Sequence, residues 1–195
     1  MKMFVKKIIY VFISFAILAC ADLDRKIEEK ETNNKVSGGV DYNPEANVAK
    51  LGITFRDPGN PVANYVHAVQ SGNLLFLSGK GPKQANGENI VGKVGADLTV
   101  EEGYAAAREA GINQLSVLKA ELGDLRKVKR IVKVKGMVNA VSGFKDHSKV
   151  INGYSDLMVA IFGENGKHTR AAVGMGSLPG NMAVEVEMVV ELWED

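Results

Sequence analysis

Near the carboxyl end of the 195-residue chain, the run TRAAVGMGSL sets one arginine, Arg170, among small and apolar residues. If the run alternates as a strand, Arg170, Ala172, Gly174 and Gly176 share a face. Everything beside the guanidinium there is tiny, which leaves room over the sheet with a cation at one end. An arginine fork in a partly desolvated hollow suits a small planar carboxylate, because two parallel N–H···O bonds can form. The same residues admit a second reading, in which Arg170 pairs with a local Asp or Glu and the glycines admit a neighbouring backbone.

The next strand-like run, MAVEVEMVVELW, carries Glu185 and Glu187. Glu185 is the candidate to orient or deprotonate water beside a bound acid, whereas Glu187 reads as a solvated strand carboxylate. Joined by PGN, the two runs are expected to form a hairpin with Glu185 across from Met175 or Gly176. That puts it roughly 16 Å along the strand from Arg170. Both side chains reach one small ligand only with help from a neighbouring subunit or a strong twist.

Other chemistries have little support. The three histidines, His67, His147 and His168, are scattered without metal-ligand spacing, and the single cysteine, Cys20, provides neither a disulfide framework nor a Cys-based zinc site. No metal or organic cofactor is implied. Net charge is +1, so bulk electrostatics point to no nucleic-acid partner.

The elements that must position these residues are legible as patterns. NYVHAV and NLLFLSG are short strand-like runs split by the turn signal QSGN. Thr99 and Glu102 form a capping box opening a helix, along which Tyr104, Ala107, Gly111, Leu115, Leu118 and Leu122 recur at helical spacing before Gly123 stops it. VKRIVKVKGMV reads as a strand. A second helix within DHSKVINGYSDLMVAIFG carries Val150, Ile151, Tyr154, Leu157, Met158 and Ile161 on one face, with Gly163 past its end. In the last strand Val184, Val186, Met188, Val190 and Leu192 point one way. The order β-β-α-β-α-β-β, with both helices on one face of one sheet, is a two-layer α/β sandwich. The opposite sheet face mixes apolar bulk with carboxylates, which suits a subunit interface.

The first 19 residues read as a signal peptide: a basic MKMFVKK, then the apolar IIYVFISFAILA, too short for a comfortable membrane span. ILAC resembles a bacterial lipobox with cleavage before Cys20. That resemblance implies a lipidated Cys20 bearing diacylglycerol and an acyl chain such as palmitate, and so a membrane-anchored, exported domain in the cell envelope. Cleavage removes Lys2, Lys6 and Lys7, leaving 21 basic against 23 acidic residues and a slightly acidic mature chain. Residues 20–50 are polar and poor in large apolar groups, and read as a flexible tether to a domain at 51–195.

Taken together, NYVHAV, NLLFLSGKGP and TRAAVGMGSLPGNMAVEVEM resemble the Rid family, the YjgF-type reactive-intermediate deaminases once called L-PSP endoribonucleases, over residues 60–193. The resemblance implies a chorismate-mutase-like fold, usually a homotrimer, with clefts between subunits. It implies hydrolysis of 2-aminoacrylate-type imines to 2-keto acids and ammonia, with a small carboxylate as substrate. By that resemblance Arg170 grips the carboxylate, Glu185 attends the attacking water, and Tyr65, Ser78 and Asn152 line the cleft. Ala172 stands where deaminating members often carry cysteine, a position that contributes backbone; Lys80 replaces the usual glutamine. VGKVGADLTVEEGYAAAR and KVINGYSDL resemble a distinct branch. The alternatives are a non-catalytic trimer binding a small carboxylate and, less favoured by the acidic mature chain, an endoribonuclease.

Overall fold

The alternation of the last strand decides the architecture. Val184, Val186, Met188, Val190 and Leu192 are all buried, while Glu187 on the other parity is exposed. A strand with one wholly buried face and partners on both edges belongs in the middle of a sheet, and there it lies. In the computed structural model, which describes residues 42–194, one five-stranded sheet is built from β1 (Ala68–Ser71), β2 (Leu74–Lys80), β3 (Val128–Asn139), β4 (Thr169–Met175) and β5 (Val184–Leu192). Its order is β1-β2-β5-β3-β4; β3 and β4 are parallel and every other pair is antiparallel.

The expected β4–β5 hairpin does not form. Eight residues, 176–183, separate the two strands, too many for the tight loops that dominate hairpins. After the PGN turn the chain is captured elsewhere. Ala183 N–H donates to Ile90 O, and its carbonyl accepts from Asn139 N–H at the end of β3. β5 therefore enters between β2 and β3 and leaves β4 as an edge strand.

Two helices, α2 (Val100–Leu122) and α3 (His147–Phe162), cover one face. α2 begins with the expected capping box, both bonds present, and ends at Gly123 in the left-handed region (φ 74°). α3 is the crossover that a parallel β3–β4 pair requires. Small residues set the helix spacing: a Cβ at Gly153 would stand 2.0 Å from the Tyr104 carbonyl oxygen of α2. The six apolar residues expected on one face of α3 are all buried.

The amino-terminal boundary differs from expectation. Residues 44–50, read as tether, form a helix, α1 (Pro44–Lys50), capped by Asn43 Oδ1 on Ala46 N–H. It docks with two buried apolar residues, Pro44 and Val48, the latter 3 % exposed, and several polar ties. Tyr42 OH donates to Val128 O at 2.6 Å, Asn47 to Ile161 O at 2.9 Å, and Lys119 pairs with Glu45 at 2.7 Å. The folded domain thus reaches back to about Tyr42, because hydrogen bonds do what a hydrophobic stripe would otherwise do. The signal-peptide residues 1–19, Cys20 and the tether as far as residue 41 lie outside the described residues.

Candidate functional site

β4 has one neighbour, β3, and Arg170 sits level with buried Val134 on it. Residues paired this way point to the same face, so the arginine leaves the sheet on the helix side and runs beside α3. Its Nη1 donates to Asn152 Oδ1 at 2.9 Å and to Ser155 Oγ at 3.0 Å. A chain of bonds fixes Ser155. His168 Nδ1 lies 2.7 Å from the Gly166 carbonyl, which only accepts, so Nδ1 carries the proton and Nε2 accepts from the Ser155 hydroxyl at 3.0 Å. Burial pushes the His168 pKa down and the Arg170 charge adds to this, while the Gly166 bond opposes them; the net downward direction favours a neutral ring.

The consequence is a guanidinium held by one nitrogen on neutral oxygens. Among the described residues Arg170 has no carboxylate partner, and Nε and Nη2 have no hydrogen-bond partner. That edge is the one a carboxylate takes side-on with two bonds.

The small residues beside Arg170 have another use than the one expected. Ala172 packs on the core beneath α3. A Cβ at Gly174 would be 2.3 Å from His147 Nε2, so the glycine admits that ring. Gly176 lies beyond the strand, its carbonyl accepting from Lys93 Nζ at 2.7 Å. The helix side thus fills the face around Ala172, and in the single chain Arg170 is exposed; the open space on this strand lies farther along, bordered by Gly174 and Gly176. Beyond Gly174 an open cleft of about 560 Å³ is lined by residues including Lys93, Phe144 and His147; Lys93 there is committed to Asn139 and Gly176.

Glu185 occupies the opposite sheet face. It is level with Met137 of β3 and lies across Gly79, where a Cβ would come within 2.1 Å of its Oε1. The register slips between Leu77 and Lys80, and this bulge aims Ser78 at the preceding loop: its Oγ donates to Val66 O at 2.7 Å. Gly79 also lines a 210 Å³ pocket with Tyr65, Lys80 and Asn113. Burial pushes the Glu185 pKa up, the Glu187 charge pushes it further, and Lys135 opposes both. Glu187 itself is exposed and paired with Lys135 at 3.6 Å.

The residues expected at one site therefore fall into two candidate half-sites. One is Arg170, bonded to Asn152 and two residues from Ala172 on β4; the other is Glu185, packed across Gly79, which follows Ser78 and lines the pocket shared with Tyr65. Glu185 is level with Val173, three residues along and two strands across from Arg170. That is roughly 14 Å by strand rise and spacing, and through the sheet to its other face. Ser155 and His168, not singled out in the sequence, support the first half-site. Asn152 and Ser155 stand three apart on one helix face, a spacing that brings side chains together. Among the described residues no group of three or more His, Cys, Asp or Glu side chains could hold a metal ion.

Residues 45–192 match the family described as "YjgF/chorismate_mutase-like, putative endoribonuclease". Protein TCP17 of Trypanosoma cruzi is 47 % identical over 148 residues, covering 75 % of this chain and 92 % of that one. A crystal structure of Atu1372 from Agrobacterium tumefaciens, titled as a protein with unknown function, is 42 % identical with a TM-score of 0.70. It aligns over 76 % of this chain and 93 % of its own. RidA from an Antarctic Psychrobacter shares the fold at 23 % identity and a TM-score of 0.50, over 71 % of this chain and 98 % of its own.

Proposed function

Because the chain belongs to the YjgF/chorismate-mutase-like family, we propose that it hydrolyses small 2-imino acids and their enamine tautomers to 2-keto acids and ammonia. The observation that carries this reading is Arg170, fixed through Nη1 by Asn152 and Ser155 with its side-on edge free. An exposed cation so held, with no carboxylate partner among the described residues, suits the carboxylate of a bound substrate.

The two half-sites lie too far apart to act on one molecule within a chain, so each working cleft is assembled from the Arg170 half of one protomer and the Glu185 half of the next in a homotrimer. The open sheet face supports that assembly. It exposes Val69 (56 %), Phe76 (46 %) and Val173 (39 %) around the carboxylates, apolar area that an interface would cover.

In the cleft, Arg170 binds the substrate carboxylate and thereby places C2. Glu185 accepts a proton from water as the oxygen adds to C2, forming a carbinolamine. Return of a proton to nitrogen lets the C–N bond break, and ammonia leaves as the C=O bond forms. The raised Glu185 pKa suits a group that takes and returns the same proton. Tyr65 and Ser78 line the Glu185 side, and Ala172 has only backbone to offer. Such imines already hydrolyse in water, so positioning and one acid–base group, worth about a hundredfold to ten-thousandfold, suffice. The signal-peptide reading further places this chemistry on the exported side of a membrane, tethered through lipid on Cys20.

The test generates an imine in place with an amino-acid oxidase and follows its trapping by semicarbazide in the presence of the purified full-length protein. Faster keto-acid release, abolished in Arg170→Ala, supports the reading. Saturable keto-acid binding with no rate change would replace it with a carboxylate binder. RNA cleavage that survives Arg170→Ala in nuclease-free protein would favour the activity in the family's description.

A further inference from the structure

Lys80 carries an amine with an unusual partner. Its Nζ lies 2.8 Å from His67 Nδ1, and His67 Nε2 lies 2.9 Å from the Gly59 carbonyl. A carbonyl oxygen only accepts, so Nε2 holds the ring proton and Nδ1 presents its lone pair to the lysine. Among the described residues no carboxylate is within ion-pair distance of Lys80. Half-burial against α2 pushes its pKa down.

The same lysine lines the 210 Å³ pocket. Around it stand Arg56, Asp57, Tyr65 and Lys83; with Arg56 paired to Glu109, the remaining charges are Lys80 and Lys83 against Asp57. Arg56 is already occupied by Glu109 at 2.7 Å, by Asn113 and by the Lys83 carbonyl. A half-buried amine beside an imidazole nitrogen, carried by a residue that lines a pocket with a net positive lining, is the arrangement of an imine-forming lysine. The cationic lining selects a carbonyl compound that is also an anion.

We propose that Lys80 is a covalent site for small 2-oxo acids, which it binds as a reversible Schiff base. His67 Nδ1 takes the ammonium proton, and the freed Nζ lone pair adds to the C2 carbonyl as the carbonyl π electrons move to oxygen. Transfer of a proton from the nitrogen to that oxygen gives a neutral carbinolamine and restores the nitrogen lone pair. The proton held by His67 then passes to the hydroxyl, which leaves as water while that lone pair closes the C=N bond as a protonated imine. The net change is amine plus ketone to imine plus water, with no oxidant or reductant. The site stands independently of the hydrolysis proposed above, since added oxo acid probes it without turnover.

The full-length protein is incubated with limiting pyruvate, the imine is fixed by hydride from cyanoborohydride, and the peptides are mapped by mass. The expected result is most of the adduct on the peptide containing Lys80, its loss in Lys80→Arg and Lys80→Gln, and slower labelling in His67→Phe. Acetaldehyde, which lacks the carboxylate, should label Lys80 less well. Adduct spread evenly over the exposed lysines, or none at Lys80, overturns the proposal; the wild-type map decides this without any variant. Failure here leaves Arg170-dependent hydrolysis untouched, and failure of that hydrolysis leaves the Lys80 adduct to be judged alone.

Discussion

Gly79→Ala separates the Glu185 position from the fold. The glycine has no strained backbone, yet a Cβ there would lie 2.1 Å from Glu185 Oε1, 2.9 Å from its Cδ and 3.0 Å from its Cγ. The three nearest atoms all belong to one flexible side chain, so the backbone can stay and the carboxylate must retreat by about 1 Å. An off-rotamer side chain costs about 0.5–1.5 kcal/mol, which for a domain of this size lowers the melting temperature by no more than about 6 °C. A 1 Å displacement of a reacting group, by contrast, costs about a hundredfold. The expected result is a kcat about a hundredfold lower with KM nearly unchanged, because Arg170 holds the carboxylate from the other half-site. Semicarbazide-trapping kinetics and a thermal melt on the same preparation measure both. A folded Gly79→Ala protein with full kcat would refute the placement of Glu185 at the reacting water.

The remaining expectations touch other parts. Asn152→Ala removes one of the two oxygens steering Arg170 and should raise KM about five- to tenfold, the net worth of one ordinary hydrogen bond on an exposed side chain, with melting little changed. Because the folded pKa of Glu185 is raised, hydrolysis by its carboxylate should fall as pH drops through a value above the usual carboxylate range. Glu187→Gln removes the like charge and should move that acid limb of kcat/KM to lower pH. The same raised pKa means the ionised form is penalised on folding, so its stability contribution is full below the unfolded pKa and is lost as pH rises through the folded one. Glu185→Gln should therefore melt higher than the wild type near neutral pH while losing hydrolysis. Gly153→Ala drives a Cβ to 2.0 Å from the Tyr104 carbonyl, a backbone atom that cannot swing aside, and should destabilise by about 1–3 kcal/mol in denaturant melts.

Local signals in the sequence proved reliable where the physics is local. Thr99, Glu102 and Gly123 bound α2 because caps satisfy backbone groups within a few residues. The alternation from Val184 to Leu192 shows which face is buried. It does not say which strands flank β5, and that non-local fact moved β4 to the edge and put Arg170 and Glu185 on opposite faces. α1 escaped notice because its docking rests on Tyr42, Asn47 and Glu45, residues that a composition reading assigns to solvent. Arg170 and Asn152 were legible as candidates by family resemblance, but their 2.9 Å contact needed the parallel β3–α3–β4 crossover to become visible. The Lys80–His67 pair joins residues 13 apart through a bulge, and no spacing rule marks it.

If each cleft draws Arg170 from one protomer and Glu185 from the next, two inactive chains should repair one another. Arg170→Ala and Glu185→Gln proteins, each without hydrolysis alone, are unfolded together, reassembled at equal ratio and assayed for keto-acid release. Random mixing in a cyclic trimer gives about one intact cleft in four, so recovery to about a quarter of the wild-type rate is expected. Mixed assemblies, verified by mass, that remain as inactive as their parents would contradict a site shared between protomers.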